Sequence, residues 1–216
     1  MSTPAEHDER PLRADAARNR EAILCAAGTA LAEEGSDISL EEIARRAGVG
    51  VGTVYRRFPT HDALIEAVLD EKMTAYADRT EAAAERALVE PAEAFAAYIG
   101  FIVDQQIDDR AFAQLMCDRP HGSALFAAQQ HRAFAATVLL VDRARAAGAV
   151  RSDLHHSDLI LLIQATNGVI SGGGPAAAEA SRRLAHFLLQ AFRVAGSESA
   201  PAVPAPWSGV DGSAPC

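Results

Sequence analysis

The chain predicts an all-α protein, and three observations carry the prediction. No segment shows the period-two alternation of apolar and polar residues expected of a half-buried strand. Apolar residues instead recur three and four apart, as in Phe95, Tyr98, Phe101 and Ile102, or Leu184, Leu188 and Phe192. Helix start and stop residues bracket these stretches: Ser39, Gly48, Thr60, Pro91 and Gly148. With 216 residues, 49% of them hydrophobic, the length suits a small N-terminal headpiece followed by one larger helical domain.

The most informative stretch is residues 39–64. Ser39 can cap the amide of Glu42, and the Glu42 carboxylate can reach back to the amide of Ser39, a reciprocal capping box. Ile43, Ala44 and Ala47 form the inward stripe of this short helix. Gly48 stands where the chain must leave through a left-handed conformation that a Cβ resists. The segment from Val51 to Phe58 is too short to be stable alone and must be held by Val54 and Phe58. That leaves Gly52, Thr53, Tyr55, Arg56 and Arg57 on its free side. Pro59 stops it, because the residue before a proline is pushed out of helical geometry, and Thr60 offers the next cap, for a helix starting at His61. The fold class is therefore all-α with an N-terminal helix-turn-helix headpiece, followed by a helical ligand-binding and dimerisation domain.

The free side of the second short helix is small, hydroxylated and cationic. Thr and Tyr hydroxyls donate to phosphate oxygens and arginine adds a two-pronged charge, so the surface suits a nucleic-acid backbone. Taken singly, Arg56 and Arg57 describe a solvated helix face and Tyr55 a half-buried aromatic. The ordered set of cap, glycine turn, hydroxylated helix, proline stop and second cap is what points to DNA.

The run Ala-Gly-Val-Gly-Val-Gly-Thr-Val-Tyr-Arg-Arg-Phe-Pro-Thr-His-Asp-Ala-Leu closely resembles the DNA-binding segment of the TetR family of bacterial transcriptional regulators. Residues 23–35, Ile-Leu-Cys-Ala-Ala-Gly-Thr-Ala-Leu-Ala-Glu-Glu-Gly, are similar to that family's first helix, and the resemblance covers about residues 18–70. It implies that Gly50, Val51, Gly52, Thr53 and Tyr55 meet DNA, with Thr53 and Tyr55 on phosphates and Ser39 near a second phosphate contact. Arg57 stands where the family often has histidine, and His61 where it often has lysine. An unperturbed imidazole, with a pKa of about 6.5, offers only a hydrogen bond at neutral pH. Val51 and Gly52 bring no polar side chain to a base edge, so direct readout rests on thymine methyl contacts, backbone groups and arginines. Gly28, inside the first helix, costs about 1 kcal/mol of propensity relative to alanine.

Beyond the headpiece, the spacing Leu64, Ala67, Val68, Glu71 and Ala75 predicts a helix from His61 to about residue 84. Pro91 opens the next, with the stripe Phe95, Tyr98, Phe101, Ile102 and Gln105, ended by Asp108-Asp109-Arg110. A short helix follows over residues 112–117, then a long one over 123–147 carrying Phe126, His131, Phe134, Val138 and Val141, with Gly148 as its stop. Residues 157–170 are apolar almost all round, so that helix must be covered on more than one side. The last helix, over 175–195, has Leu184, Phe187, Leu188, Ala191 and Phe192 at core spacing, with Ala185 and Leu189 left for another face. The resemblance implies that these last two helices pack against their copies in a homodimer, which would place two recognition helices on a palindromic double-stranded operator.

For an effector, Tyr98, Phe101, Phe112, Met116, Phe126 and Phe134 are candidate cavity walls, with Gln105, His131, Gln164 and Asn167 as orienting polar groups. Read singly, each is an ordinary core or surface residue. Gly172-Gly173-Gly174 is no phosphate loop, since no strand precedes it and no Lys-Ser/Thr follows. Adjacent His155 and His156 diverge and lack a cysteine or carboxylate partner at ligand spacing, so neither a metal nor a cofactor is expected.

The net charge of −9 is unevenly placed: residues 10–57 hold eight arginines against seven acids, whereas residues 58–216 hold twelve cations against nineteen acids. Arg10, Arg13, Arg18 and Arg20 precede or open the first helix, where an arm could follow phosphates or equally lie solvated. Cys25, Cys117 and Cys216 are odd in number and scattered, which predicts reduced thiols. No apolar run approaches the roughly 20 residues of a membrane span, and the N-terminus lacks a signal-peptide apolar region, so a cytoplasmic protein is expected. The organisation predicted is a disordered arm (1–11), a DNA-binding domain (12–60), a regulatory and dimerisation domain (61–196) and a Pro/Ser/Ala/Gly-rich disordered tail (197–216) containing Trp207. The function expected is a repressor released from its operator by a small apolar ligand. The opposing class is a helical ligand carrier or enzyme with a non-functional headpiece. It finds no Ser-His-Asp, Cys-His or paired-carboxylate motif in support.

Overall fold

The computed structural model describes residues 9–35, 38–117 and 123–193, with side chains placed for 15–35, 38–113 and 123–193. Helices alone account for the regular structure among them: α1 (Glu9–Glu34), α2 (Leu40–Ala47), α3 (Val51–Arg57), α4 (His61–Arg86), α5 (Pro91–Asp108), α6 (Arg110–Cys117), α7 (Ala124–Ala146), α8 (His156–Ser171) and α9 (Ala177–Arg193). None of these is long and apolar enough to cross a membrane. The chain divides into two compact units, Met1–Glu71 and Lys72–Cys216, and α4 begins in the first and ends in the second.

In the first unit α1 packs on α2 and α2 on α3. Ile23, Leu24, Ala27 and Leu31 of α1, Ile43 and Ala44 of α2, Val54 and Phe58 around α3, and Leu64 of α4 are all buried. α1 starts earlier than the sequence reading placed it and takes in residues 9–11 of the expected arm. Pro11 does not prevent this, because a first-turn amide lacks an intrahelical acceptor in any case. The rest of that arm and the tail over 197–216 lie outside the described residues. α2 closes in a Schellman arrangement: Gly48, at φ 66°, donates its N–H to Arg45 O, and Val49 N–H bonds Ala44 O at 3.0 Å.

Only half of the expected capping box forms. Glu42 N–H bonds Ser39 Oγ at 3.2 Å, but the Glu42 carboxylate turns away to take Arg45 Nε at 2.7 Å and Arg46 Nε at 3.0 Å. Two guanidinium forks outcompete one backbone amide for an anion. The reciprocal box occurs elsewhere: at the start of α8, His155 N–H donates to Asp158 Oδ2 at 2.8 Å while the His155 ring accepts from the Ser157 amide.

In the second unit α5 packs against α6, α7, α8 and α9, and α8 against α9. The core gathers Phe95, Tyr98, Ile99 and Ile102 with Leu140, Leu154, Leu159 and Leu162. α7 ends as α2 does, with Gly148 at φ 67° and Ala149 N–H on Ala144 O. Asp109 separates α5 from α6: its Oδ1 accepts the Phe112 amide at 3.0 Å and its Oδ2 pairs with Lys72 of α4, the single lysine of the chain. The buried line of α9 differs from the expected one. Ser181 and Ala185 face inward, whereas Phe187 is 54% exposed and Ala191 is exposed. Small side chains let α9 approach α8 closely, and the larger ring is left on the outer face.

Candidate nucleic-acid interface

The seven residues of α3 are held by one side. Val54 is 0% exposed and Phe58 6%, and Phe58, at φ −129°, is the extended residue that the following proline requires. α4 then starts under a threonine cap, with Ala63 N–H on Thr60 Oγ1 at 3.1 Å. Because successive residues turn by about 100°, the side opposite Val54 and Phe58 is the ridge of Gly52 and Arg56. Tyr55 and Thr53 lie on opposite flanks of that ridge. Gly52 leaves the ridge bare, since a Cβ there would meet nothing within 4 Å.

Two grooves run along these flanks. One, of about 440 Å³, is lined by Ser39, Glu41, Tyr55, Pro59, Thr60 and His61. The other, of about 430 Å³, is lined by residues of α1 together with Thr53, Arg56 and Arg57. The structure thus brings Ser39, Tyr55 and His61 to one side of α3 and sets Thr53, Arg56 and Arg57 on the other. Val51 is 42% exposed at the head of the helix, beside the N-cap Gly50.

Several polar groups here are already engaged. Tyr55 Oη donates to Glu41 Oε1 at 2.8 Å. The Glu41 carboxylate is held below its ordinary pKa by its own backbone hydrogen bond first and by Tyr55 second, and the Tyr55 phenol is raised in turn. An ionised acid therefore sits beside the tyrosine that a phosphate would approach. His61 Nε2 is buried without a hydrogen-bond partner. The headpiece arginines divide by role. Arg45 and Arg46 are tied to acids, Arg46 bridging Glu42, Glu33 and Glu34, which fastens α2 to the end of α1. Arg57 Nη2 donates to Ala16 O at 3.2 Å. Arg56 is exposed on the ridge.

The second unit holds the residues read as cavity walls. Tyr98, Phe112 and Phe126 are buried, at 2%, 1% and 5% exposure; Phe101, Gln105, Phe134, Gln164 and Asn167 are half-buried, and His131 is exposed. Met116 lies on the last part of α6, and its side chain falls outside the described residues. Tyr76 joins part of this set, its ring tilted against Phe101 with centroids 5.3 Å apart and against Phe112 at 6.5 Å, while Tyr98 Oη and Thr137 Oγ1 hydrogen-bond at 2.8 Å. Phe134 instead meets the edge of His156, whose pKa is lowered by burial and then by the neighbouring His155. The two histidine rings do not diverge as the sequence reading held but lie with centroids 3.9 Å apart, because the His155 ring turns back to cap the start of α8. A groove of about 210 Å³ borders the cluster, with Ala83, Ala94, Tyr98 and Phe101 among its walls and Arg79 and Arg86 on its rim. The Arg79 guanidinium lies 4.7 Å from the Phe101 ring centroid. Among the described residues no group of three His, Cys, Asp or Glu side chains could hold a metal ion.

Sequence reasoning missed Gln106. It is the buried glutamine, donating from Nε2 to Ile163 O at 2.8 Å, whereas the chosen Gln105 is half-buried. The stripe Phe95, Ile99, Ile102 and Gln106 carries the signal, continued one helical turn further than its apolar members.

Comparison with known proteins agrees with this geometry. Residues 23–68 match the model described as bacterial regulatory proteins, tetR family, and residues 90–194 match the C-terminal domain described as transcriptional regulator SbtR-like. A TetR transcription regulatory protein from Mycobacterium vanbaalenii is 31% identical, covering 85% of this chain and 100% of that one, with a TM-score of 0.64. A TetR transcriptional regulator from Streptomyces coelicolor is also 31% identical, covering 82% and 99%, with a TM-score of 0.61. An HTH-type transcriptional regulator of Staphylococcus aureus is 41% identical over 71 residues, which is 32% of this chain and 37% of that regulator's length. Capped helices, a bare recognition ridge and an all-helical second unit coincide with matches over both parts of the chain: it belongs to the TetR family of bacterial transcriptional regulators.

Proposed function

We propose that the chain is a homodimeric repressor that leaves a palindromic operator when a small apolar ligand occupies the helical regulatory domain. In this reading residues 12–60 bind DNA and residues 61–196 hold the ligand and dimerise. The observation that carries it is α3, anchored by Val54 and Phe58 and presenting Gly52 and Arg56 between flanks carrying Tyr55 and Thr53. The outward faces of α8 and α9 support dimerisation: Leu161 is 43% exposed and Phe187 54%, and large apolar groups on adjacent packed helices favour a two-fold contact that covers them. Two recognition helices would then read half-sites about 34–36 Å apart if they enter successive grooves. The aromatic cluster of Tyr76, Tyr98, Phe101 and Phe112 supports an apolar effector. α4, shared by both units, is the element whose two positions ligand and operator would bias.

The test is binding of the purified protein to fragmented DNA of its own genome at about 0.15 M salt, beside a Thr53→Ala/Tyr55→Ala double variant. Enrichment of a few palindromic fragments that the variant loses is expected. Weak, sequence-blind binding that salt abolishes would refute the reading. An effector bound to the regulatory domain should shift operator affinity by a coupling of about 1–3 kcal/mol; a tight ligand without that shift would refute the release mechanism.

A further inference from the structure

We propose that α1 is part of the DNA-binding surface: Asn19 and Arg20, with Thr53 and Arg56 across the groove, grip the phosphate strand on the side of α3 away from Ser39 and Tyr55. The inference rests on the reading of α3 as the helix that enters the major groove.

A major groove is about 12 Å wide, and a helix with its side chains is about 10–12 Å across. A helix that fills the groove therefore has a sugar-phosphate strand along each flank. One flank of α3 carries Tyr55 and faces the groove with Ser39, Thr60 and His61. The other carries Thr53 and faces the groove whose far wall is α1, with Asp15, Ala16, Asn19, Arg20 and Ile23. Those five fall at helical spacing, so they form one face of α1. Ile23 is 0% exposed and anchors that face to the core, while Asn19 and Arg20 are exposed.

The donor chemistry suits a phosphate. Among the described residues Arg20 and Arg56 have no acid or carbonyl partner, in contrast to Arg45 and Arg46, which are taken up by glutamates. Asp15, the one acid among the described residues that line the groove, is paired with Arg18 on the same helix. Arg57 acts as a positioning residue, because its bond to Ala16 O holds the wall of the groove to α3. The continuity of α1 from Glu9 matters here. Arg20 is presented by a rigid helix rather than a loose arm, so less conformational entropy is lost when it meets a fixed phosphate.

The experiment compares full-length wild type with Arg20→Gln and with Asn19→Ala/Arg20→Gln. Probes are the enriched genomic fragment and a random-sequence duplex, each titrated across a salt series, with phosphate-ethylation interference on both strands. Loss of the Arg20 charge should lower the salt slope by about 0.9 for every half-site and weaken both probes by a similar factor, whereas the added Asn19→Ala should weaken both further at the same slope, because its amide is uncharged. Interference should vanish at phosphates on one flank and persist on the flank that Tyr55→Phe affects. An unchanged slope and footprint in Arg20→Gln, while wild type binds its fragment, would overturn the clamp and leave the reading of α3 intact. Failure of wild type to bind either probe would overturn both. Unchanged circular dichroism of the variants would show that a lost contact, and not a lost fold, is being read.

Discussion

Removing the hydroxyl of Thr166 should destabilise the second unit out of proportion to the single atom lost. Thr166 is 0% exposed and Gln106 4%. Thr166 Oγ1 lies 2.6 Å from Gln106 Oε1 and 2.8 Å from Leu162 O, and it has one proton to give. The carbonyl of Thr166 in turn accepts from Ser181 Oγ at 3.4 Å, so the group links α5, α8 and α9. In Thr166→Val the side-chain volume is nearly kept, so the cavity term is small. What remains is a buried glutamine oxygen without its donor, at a cost of about 1–3 kcal/mol. Adding Gln106→Leu removes the orphaned oxygen as well. The Ile163 carbonyl that Gln106 contacts keeps its helical partner, so the double variant should recover part of the loss. Urea unfolding followed by circular dichroism reads this directly: with a slope of about 1–3 kcal/mol per molar, the midpoint of Thr166→Val should fall by roughly 1 M at constant slope. A fall below about 0.3 M at unchanged slope, or a double variant no more stable than Thr166→Val, would refute the reasoning.

Three further outcomes are expected. Gly48→Ala places a Cβ at φ 66° and should destabilise the headpiece by about 1–2 kcal/mol, seen as a lower unfolding midpoint. Glu41→Gln removes a negative charge beside Tyr55 and should tighten operator binding roughly two- to five-fold per half-site; unchanged or weaker binding in a filter or anisotropy titration would count against a phosphate at Tyr55. The Glu42 carboxylate is held down to about 2 by Arg45 first and Arg46 second. Its folded pKa lies below the unfolded value, so its stabilisation is present above about pH 4.5 and is lost as pH falls towards 2. Glu42→Gln should therefore flatten the acid limb of headpiece stability between those values, measured as unfolding midpoint against pH.

Much of the fold and of the recognition helix was legible because local chemistry decides it. A serine cap, a left-handed glycine and a proline stop act within four residues of themselves. They set the ends of α2 and α3 whatever packs on them, and the order Gly52, Thr53, Val54, Tyr55, Arg56 fixes which residues share a flank. The same locality placed Pro91 at the start of α5 and Gly148 at the end of α7.

The sequence alone determined the all-helical class, the helix-turn-helix and the residues on its free side, because these follow from helical period and from caps. Only the tertiary structure decided which polar groups are spent inside the protein: Glu42 on two arginines, Arg46 on the end of α1, Tyr55 on Glu41, Gln106 on Thr166. It also turned Phe187 of α9 outward and set Arg20 across a groove from Arg56. The physical reason is range. A cap or a turn is a contract between near neighbours, whereas the partner of a long charged side chain depends on which helix lies within about 3 Å of its tip, and periodicity does not encode that.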